Sequence, residues 1–257
     1  MTAKHSRFYL ILTVALLLLV LLGFGRTFYL RAFFEQPLRW QMDRLPWVYL
    51  VHGVVMTAWF VLLVVQSALI NLHRHTVHRK LGYALAGLAV LVVTTGMMVI
   101  FDATPSRVEL GLLEPGNLAA LRGHMLPLYL DLLSLIVFTG AISVAILYRT
   151  RRGLHRTMVL IGSMAMMAAV LGRLVGLLGP GLSFVQFVVL TLVLMFAAPT
   201  ALLIHDWIRF KRLPKPAFVG LGVLIAMVGL ALVLPGTEIG LQFFLKHLSG
   251  WRGVPPV

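Results

Sequence analysis

Residues 47–71 read WVYLVHGVVMTAWFVLLVVQSALIN, a run without Asp, Glu, Lys or Arg. A helix of that length rises about 37 Å, more than the ~30 Å hydrocarbon layer of a bilayer. Its hydrophobicity is continuous, whereas a membrane-barrel strand alternates apolar and polar positions. Lipid offers the backbone no hydrogen-bond partner, so such a run closes its own bonds as an α-helix. The same texture recurs at residues 8–25, 81–101, 125–148, 157–179, 183–206 and 216–234. Hydrophobic residues make up 60% of the chain and the mean hydropathy is +0.96, more apolar surface than a soluble core of this size hides. The reading is an all-α polytopic membrane protein of about seven transmembrane helices in a single membrane domain. Residues 1–46 hold the first span and an outer segment, 47–175 a four-helix core, and 176–257 two further spans. Beyond Pro235-Gly236, Phe243, Phe244, Leu245 and Leu248 against Lys246 and His247 suggest a short helix on the outer interface.

The net charge is +14, from 22 Lys and Arg against 8 Asp and Glu. The cations cluster at span ends, with no basic tail or nucleic-acid motif, so they read as anchors to the lipid bilayer and not as a nucleic-acid surface. The loops Arg149–Arg156 and Arg209–Lys215 are the heaviest. Lys and Arg set orientation, which places these loops and the N-terminus in the cytoplasm of a bacterial inner-membrane protein. The other side carries most of the acids (Glu35, Asp43, Asp102, Glu109, Glu114 and Glu238), with Arg26, Arg31, Arg39, Arg44, Arg107, Arg122, Arg173, Lys246 and Arg252. The first span, led by Lys4 and Arg7 and lacking a small-residue cleavage site, reads as a retained helix. Cysteine is absent, so disulfides, thiolate chemistry, covalently attached haem and Cys-based zinc or iron–sulfur sites drop out.

Four histidines sit at the ends of consecutive spans. An even number of spans between two positions puts them on the same side of a membrane. His52 and His124 therefore pair at the outer face, and His78 and His155 at the cytoplasmic one. Facing imidazoles are what a six-coordinate haem iron takes as axial ligands, and two pairs would stack two b-type haems across the bilayer. Each histidine also has a plainer reading, as an interfacial ring bonded to a carbonyl or a lipid phosphate. Trp59 and Gln66 continue the face of His52, at seven and fourteen residues' spacing. His78-Arg-Lys-Leu-Gly82 and His155-Arg-Thr-Met158 open their spans alike, followed by small residues (Gly82 and Ala86; Gly162 and Ala165–Ala169) that admit a flat macrocycle or a neighbouring helix. Arg79, Arg122 and Arg156 are placed to neutralise propionates, because guanidinium offers carboxylates a two-donor fork.

Asp131 lies on the face of His124, about 10 Å deeper, and is the one acid read well inside a span. Its role is a helix-bracing hydrogen bond, a proton relay, or a neighbour of a haem propionate or quinone. His73-x-His75-x-x-His78 resembles a fragment of a di-iron histidine box whose matching boxes are missing. His5, His205 and His247 read as interfacial bystanders.

The order of histidines over spans two to five, with His52-Gly-Val-Val-Met56, Leu63-Val-Val-Gln66, His78-Arg-Lys-Leu-Gly82 and His155-Arg156, resembles the transmembrane two-haem cytochrome b561 group. That resemblance covers roughly residues 47–175 and implies a four-helix core with one haem held by its first and third helices and another by its second and fourth. The His-Arg openings and the Trp59/Gln66 helix are also similar to a widespread group of bacterial membrane proteins of unknown function. The long interval from His78 to His124 and the added first, sixth and seventh spans depart from the usual b561 arrangement, and no ascorbate-binding motif is found. The expectation is a membrane oxidoreductase that moves electrons, with a quinol, a periplasmic carrier or a ferric chelate as partner. The alternative is a haem-free transporter, lipid-handling or assembly subunit, with Asp131, Gln66 and Arg173 as midplane or gate residues.

Overall fold

The computed structural model describes residues 3–34, 45–114 and 116–249. Readings that fall on Glu35, Arg39, Asp43, Arg44 and Arg252, and on the side chains of Lys4 and His5, lie outside the described residues. The fold is all-α. Its helices are α1 (Ala3–Phe24), α2 (Trp47–Asn71), α3 (His75–Glu109), α4 (Leu118–Leu147), α5 (Arg152–Ala165), α6 (Ala168–Leu178), α7 (Phe184–Phe210), α8 (Lys215–Val233) and α9 (Glu238–Phe243). Six are long and apolar enough to cross a bilayer, and α5 with α6 makes a seventh span if that bent pair counts as one. The chain fits an integral membrane protein. Its outward side chains are apolar, with Leu22, Val54, Leu147, Val185 and Ile225 all exposed, a surface that a lipid solvent accommodates and water does not.

Local chemistry sets the helix ends. Asn117 accepts from the Ala120 N–H at 3.0 Å and starts α4. Ser183 and Gln186 cap α7 reciprocally, side chain to backbone, at 3.3 and 2.9 Å. Lys211 closes α7 in the left-handed region at φ 54°, where glycine is usual.

One departure concerns the fifth span. The continuous run read at 157–179 is two helices, broken at Met166–Met167 and bent by 47°.

Helices α2 to α5 pack in chain order, each against the next. The indole N–H of Trp59 donates to the Ser163 hydroxyl at 3.1 Å and closes α2 onto α5. α1 lies on α2 and α6, while α8 covers α4, α5 and α7. Close approach is built on small residues. A Cβ on Gly162 would stand 3.3 Å from the Ala141 methyl, so this glycine serves the α4–α5 contact. The connections 72–74, 148–151 and 211–214 share one end of the bundle with Arg149, Arg151, Lys211 and Arg212, hereafter the basic end. At the opposite end α9 and the π turn after it bury Leu241, Phe244 and Leu248. The Tyr129 hydroxyl donates to the Gly240 carbonyl at 2.6 Å and fastens that segment to α4.

Candidate functional site

His78 and His155 occupy the same register of their helices. Each is the fourth residue, and each backbone N–H donates at 3.0 Å to the carbonyl of the residue before its helix, Arg74 and Arg151. The two rings meet edge-on at the basic end, 6.5 Å between centroids with planes at 89°. His155 Nδ1 lies 2.8 Å from the Ala145 carbonyl, which can only accept. Nδ1 therefore carries the proton and Nε2 presents a lone pair, the arrangement by which a backbone carbonyl orients a ligating imidazole. His78 Nδ1 is buried without a hydrogen-bond partner. Gln66 donates to the His78 carbonyl at 3.2 Å and pins the turn that carries the ring.

Two imidazoles bound to one metal at about 2 Å have centroids roughly 6 Å apart, close to the observed spacing. Among the described residues no group of three or more His, Asp or Glu side chains can surround a metal ion, so the His73-x-His75-x-x-His78 box assembles no multi-ligand centre. A porphyrin brings four nitrogens of its own and asks the protein for two axial donors. The donor set at this end fits that group.

The opposite end is built differently. His52 Nδ1 contacts the Thr95 hydroxyl at 3.0 Å, and that hydroxyl donates to the Leu91 carbonyl at 2.7 Å. Thr95 must therefore accept from His52 Nδ1–H, leaving His52 Nε2 unprotonated. His124 Nε2 instead meets the Thr104 hydroxyl at 3.1 Å and its ring lies edge-on to Phe244. Thr95 and Thr104 are nine residues apart on α3, about 13 Å along the helix. The expected His52–His124 pair is thus not brought face to face. Counting spans fixes the end at which a ring lies but not the helix turn it touches.

The arginines assigned to propionates also divide. Arg79 is exposed beside His78. Arg122 donates to the Gly236 carbonyl at 2.9 Å and ties α4 to the turn before α9. Arg156 is taken by Asp206: its guanidinium donates to Oδ2 at 3.0 Å and lies 3.8 Å over the Tyr9 ring. Asp206, 2% exposed, also accepts from the Tyr9 hydroxyl, and from His205 Nδ1 at 3.0 Å. Arg209 donates to the Tyr9 oxygen at 3.2 Å, and the His205 ring stacks on Phe8 at 3.8 Å. This cluster locks α1, α5 and α7 together, and it corrects two readings: Asp131 is not the only buried-span acid, and His205 is no bystander. The available signal was His205-Asp206-Trp-Ile-Arg209 directly after an apolar run, which placed at a span end passes for interface.

Trp59, 2% exposed, lies edge-on to Phe138 at 4.9 Å and braces the core, as does Gln66. Asp131 accepts no hydrogen bond among the described residues, and its carboxylate lies in the electrostatic reach of Arg173 on α6. Comparison with known protein families, with curated proteins and with solved structures gave no match.

Proposed function

We propose that the protein is an integral membrane b-type haem protein that takes one haem between His78 and His155 and moves electrons through the membrane. The carrying observation is the perpendicular ring pair, 6.5 Å between centroids, with His155 oriented by its bond to Ala145. Bound there, haem supplies one-electron chemistry, and the chain sets its environment through the imidazole hydrogen bonds and the burial around them. His78 and His155 would hold the iron. Arg79 offers the nearest uncommitted guanidinium in sequence, and Gln66 fixes the His78 turn. With the basic end in the cytoplasm of a bacterial inner membrane, as the distribution of Lys and Arg favours, the acceptor or donor at this end is a soluble or membrane-surface redox partner. The other is a quinol or an outer carrier.

The test is a reduced-minus-oxidised spectrum of protein purified from haem-replete cells. Wild type should show a low-spin Soret and α-band. His78→Ala and His155→Ala should both lose it while Ala substitution of His124 keeps it. A colourless, folded wild type overturns the reading.

A haem-free transporter is the second reading, and one observation favours it. The 47° break between α5 and α6 resembles the discontinuous helices that carry transporter sites. No second bent pair occurs among the described residues, so the repeat that usually accompanies such a break is missing. The same spectrum separates the two readings.

A further inference from the structure

Helix α7 has two unlike faces where it ends. On one, Leu202 and Asp206 are buried in the bundle and Arg209 donates to the Tyr9 hydroxyl. On the other, Ile204, Trp207, Ile208 and Lys211 recur at three- and four-residue spacing and line an open cavity of about 480 Å³. That volume falls within the range of ~300–1,000 Å³ usual for small-ligand sites. The three apolar side chains are exposed and reach about 10 Å from the helix end into the span. Trp207 sits one turn from that end, the level at which indole rings gather between lipid headgroups and hydrocarbon. Lys211 closes the strip with φ 54°, an outlier for a residue with a side chain and of the kind that accompanies functional positions. Arg212 follows it, also exposed. Neither cation meets a counter-charge. Of the chain's 8 acids, Asp206 is the only one described at the basic end, and it is buried and paired with Arg156.

An occupant of this cavity has to satisfy an apolar strip and an unneutralised cation together. A second apolar helix would cover Ile204 and Ile208 and leave Lys211 unmet. A soluble anion would meet Lys211 and leave the strip bare. A zwitterionic lipid brings its own cation beside its phosphate. An anionic phospholipid satisfies both parts, and its charge complements the whole basic end. We propose that the outward face of α7 from Ile204 to Lys211 binds an anionic phospholipid, with the phosphate at Lys211, the glycerol region beside Trp207 and an acyl chain along Ile204 and Ile208. This site makes no use of His78 or His155 and stands apart from the haem reading.

The test uses full-length protein in phosphatidylcholine vesicles, to which phosphatidylglycerol with brominated acyl chains is added in increasing fraction. Bromine quenches indole fluorescence on contact. The chain has 5 Trp, so the Trp207 signal is taken in each background as the difference made by Trp207→Phe. In wild type it should be half-quenched at a lower fraction of brominated phosphatidylglycerol than of phosphatidylcholine brominated on the same chains. Lys211→Gly removes the cation and suits the left-handed backbone, so the fold is kept. It should raise the half-quenching fraction of phosphatidylglycerol about fivefold, the effect of one basic residue near an anionic surface. Lys246→Gln, at the opposite end, should leave that fraction unchanged. Salt at about 1 M, where the screening length falls to about 3 Å, should weaken the preference without any substitution. Inorganic phosphate at matched ionic strength should leave the quenching as it was. Equal quenching by the two lipids, a preference that survives Lys211→Gly in full, or displacement of the lipid by inorganic phosphate overturns the proposal.

Discussion

At the scale of single residues, the same histidine chemistry gives different outcomes according to what each ring nitrogen meets. His155 is fixed by a carbonyl that only accepts, and His52 by a hydroxyl whose own proton is spent on the backbone. In both, Nδ1 is the nitrogen engaged by the neighbouring helix. His205 instead reports to a carboxylate already shared by Arg156 and Tyr9. Asp206 is where a substitution hurts most, because three donors converge on a side chain that is 3% exposed. Removing one partner of a buried pair leaves the other charge uncompensated, so Asp206→Ala should cost about 3 kcal/mol. Asp206→Asn should cost less, since the amide keeps one acceptor at the same size. Thermal denaturation in detergent compares them, and an unchanged midpoint for Asp206→Ala would show the cluster to be idle.

At the scale of helices, packing is organised by close contacts at small residues. A Cβ on Gly23 of α1 would stand 2.8 Å from the Val170 carbonyl oxygen of α6, a backbone atom that cannot swing aside. Gly23→Ala should therefore force α1 and α6 apart and destabilise the protein by about 1–3 kcal/mol. Gly87→Ala, which meets nothing within 4 Å, should be neutral or slightly stabilising in the same assay.

The helices themselves were legible in the sequence because lipid leaves a spanning backbone so few choices. The apolar runs at 47–71 and 183–206 reappear as α2 and α7, each correct to within a few residues. Span parity likewise placed His78 and His155 together. The break at Met166–Met167 was not legible, because Met-Ala-Met-Met carries no Pro or Gly and consists of good helix formers. Lateral contacts were not legible either. The Asp206 cluster joins residues 9, 156 and 206, whose meeting depends on which helices become neighbours, and no local pattern encodes that. The missing His52–His124 pair fails for the same reason.

At the scale of the whole molecule, the ends are chemically unequal. The basic end carries the perpendicular imidazoles and the Asp206 cluster. The opposite end carries His124 on Thr104 and the short segment tied to α4 by Arg122 and Tyr129. Orientation decides which compartment each end serves. The natural absence of cysteine makes this directly testable by single-cysteine labelling. Arg212→Cys should resist a membrane-impermeant maleimide in intact cells and react in inverted vesicles, and Gly181→Cys should do the opposite. The reversed pattern would put the basic end outside and exchange the two partners.

The proposed function requires one haem per chain, held at the basic end. The pyridine haemochrome assay on purified wild type, normalised to protein by amino-acid analysis, tests it most directly. Wild type should carry b-type haem approaching one per chain. A value near zero contradicts the haem reading altogether, and a value near two contradicts the separation of His52 from His124.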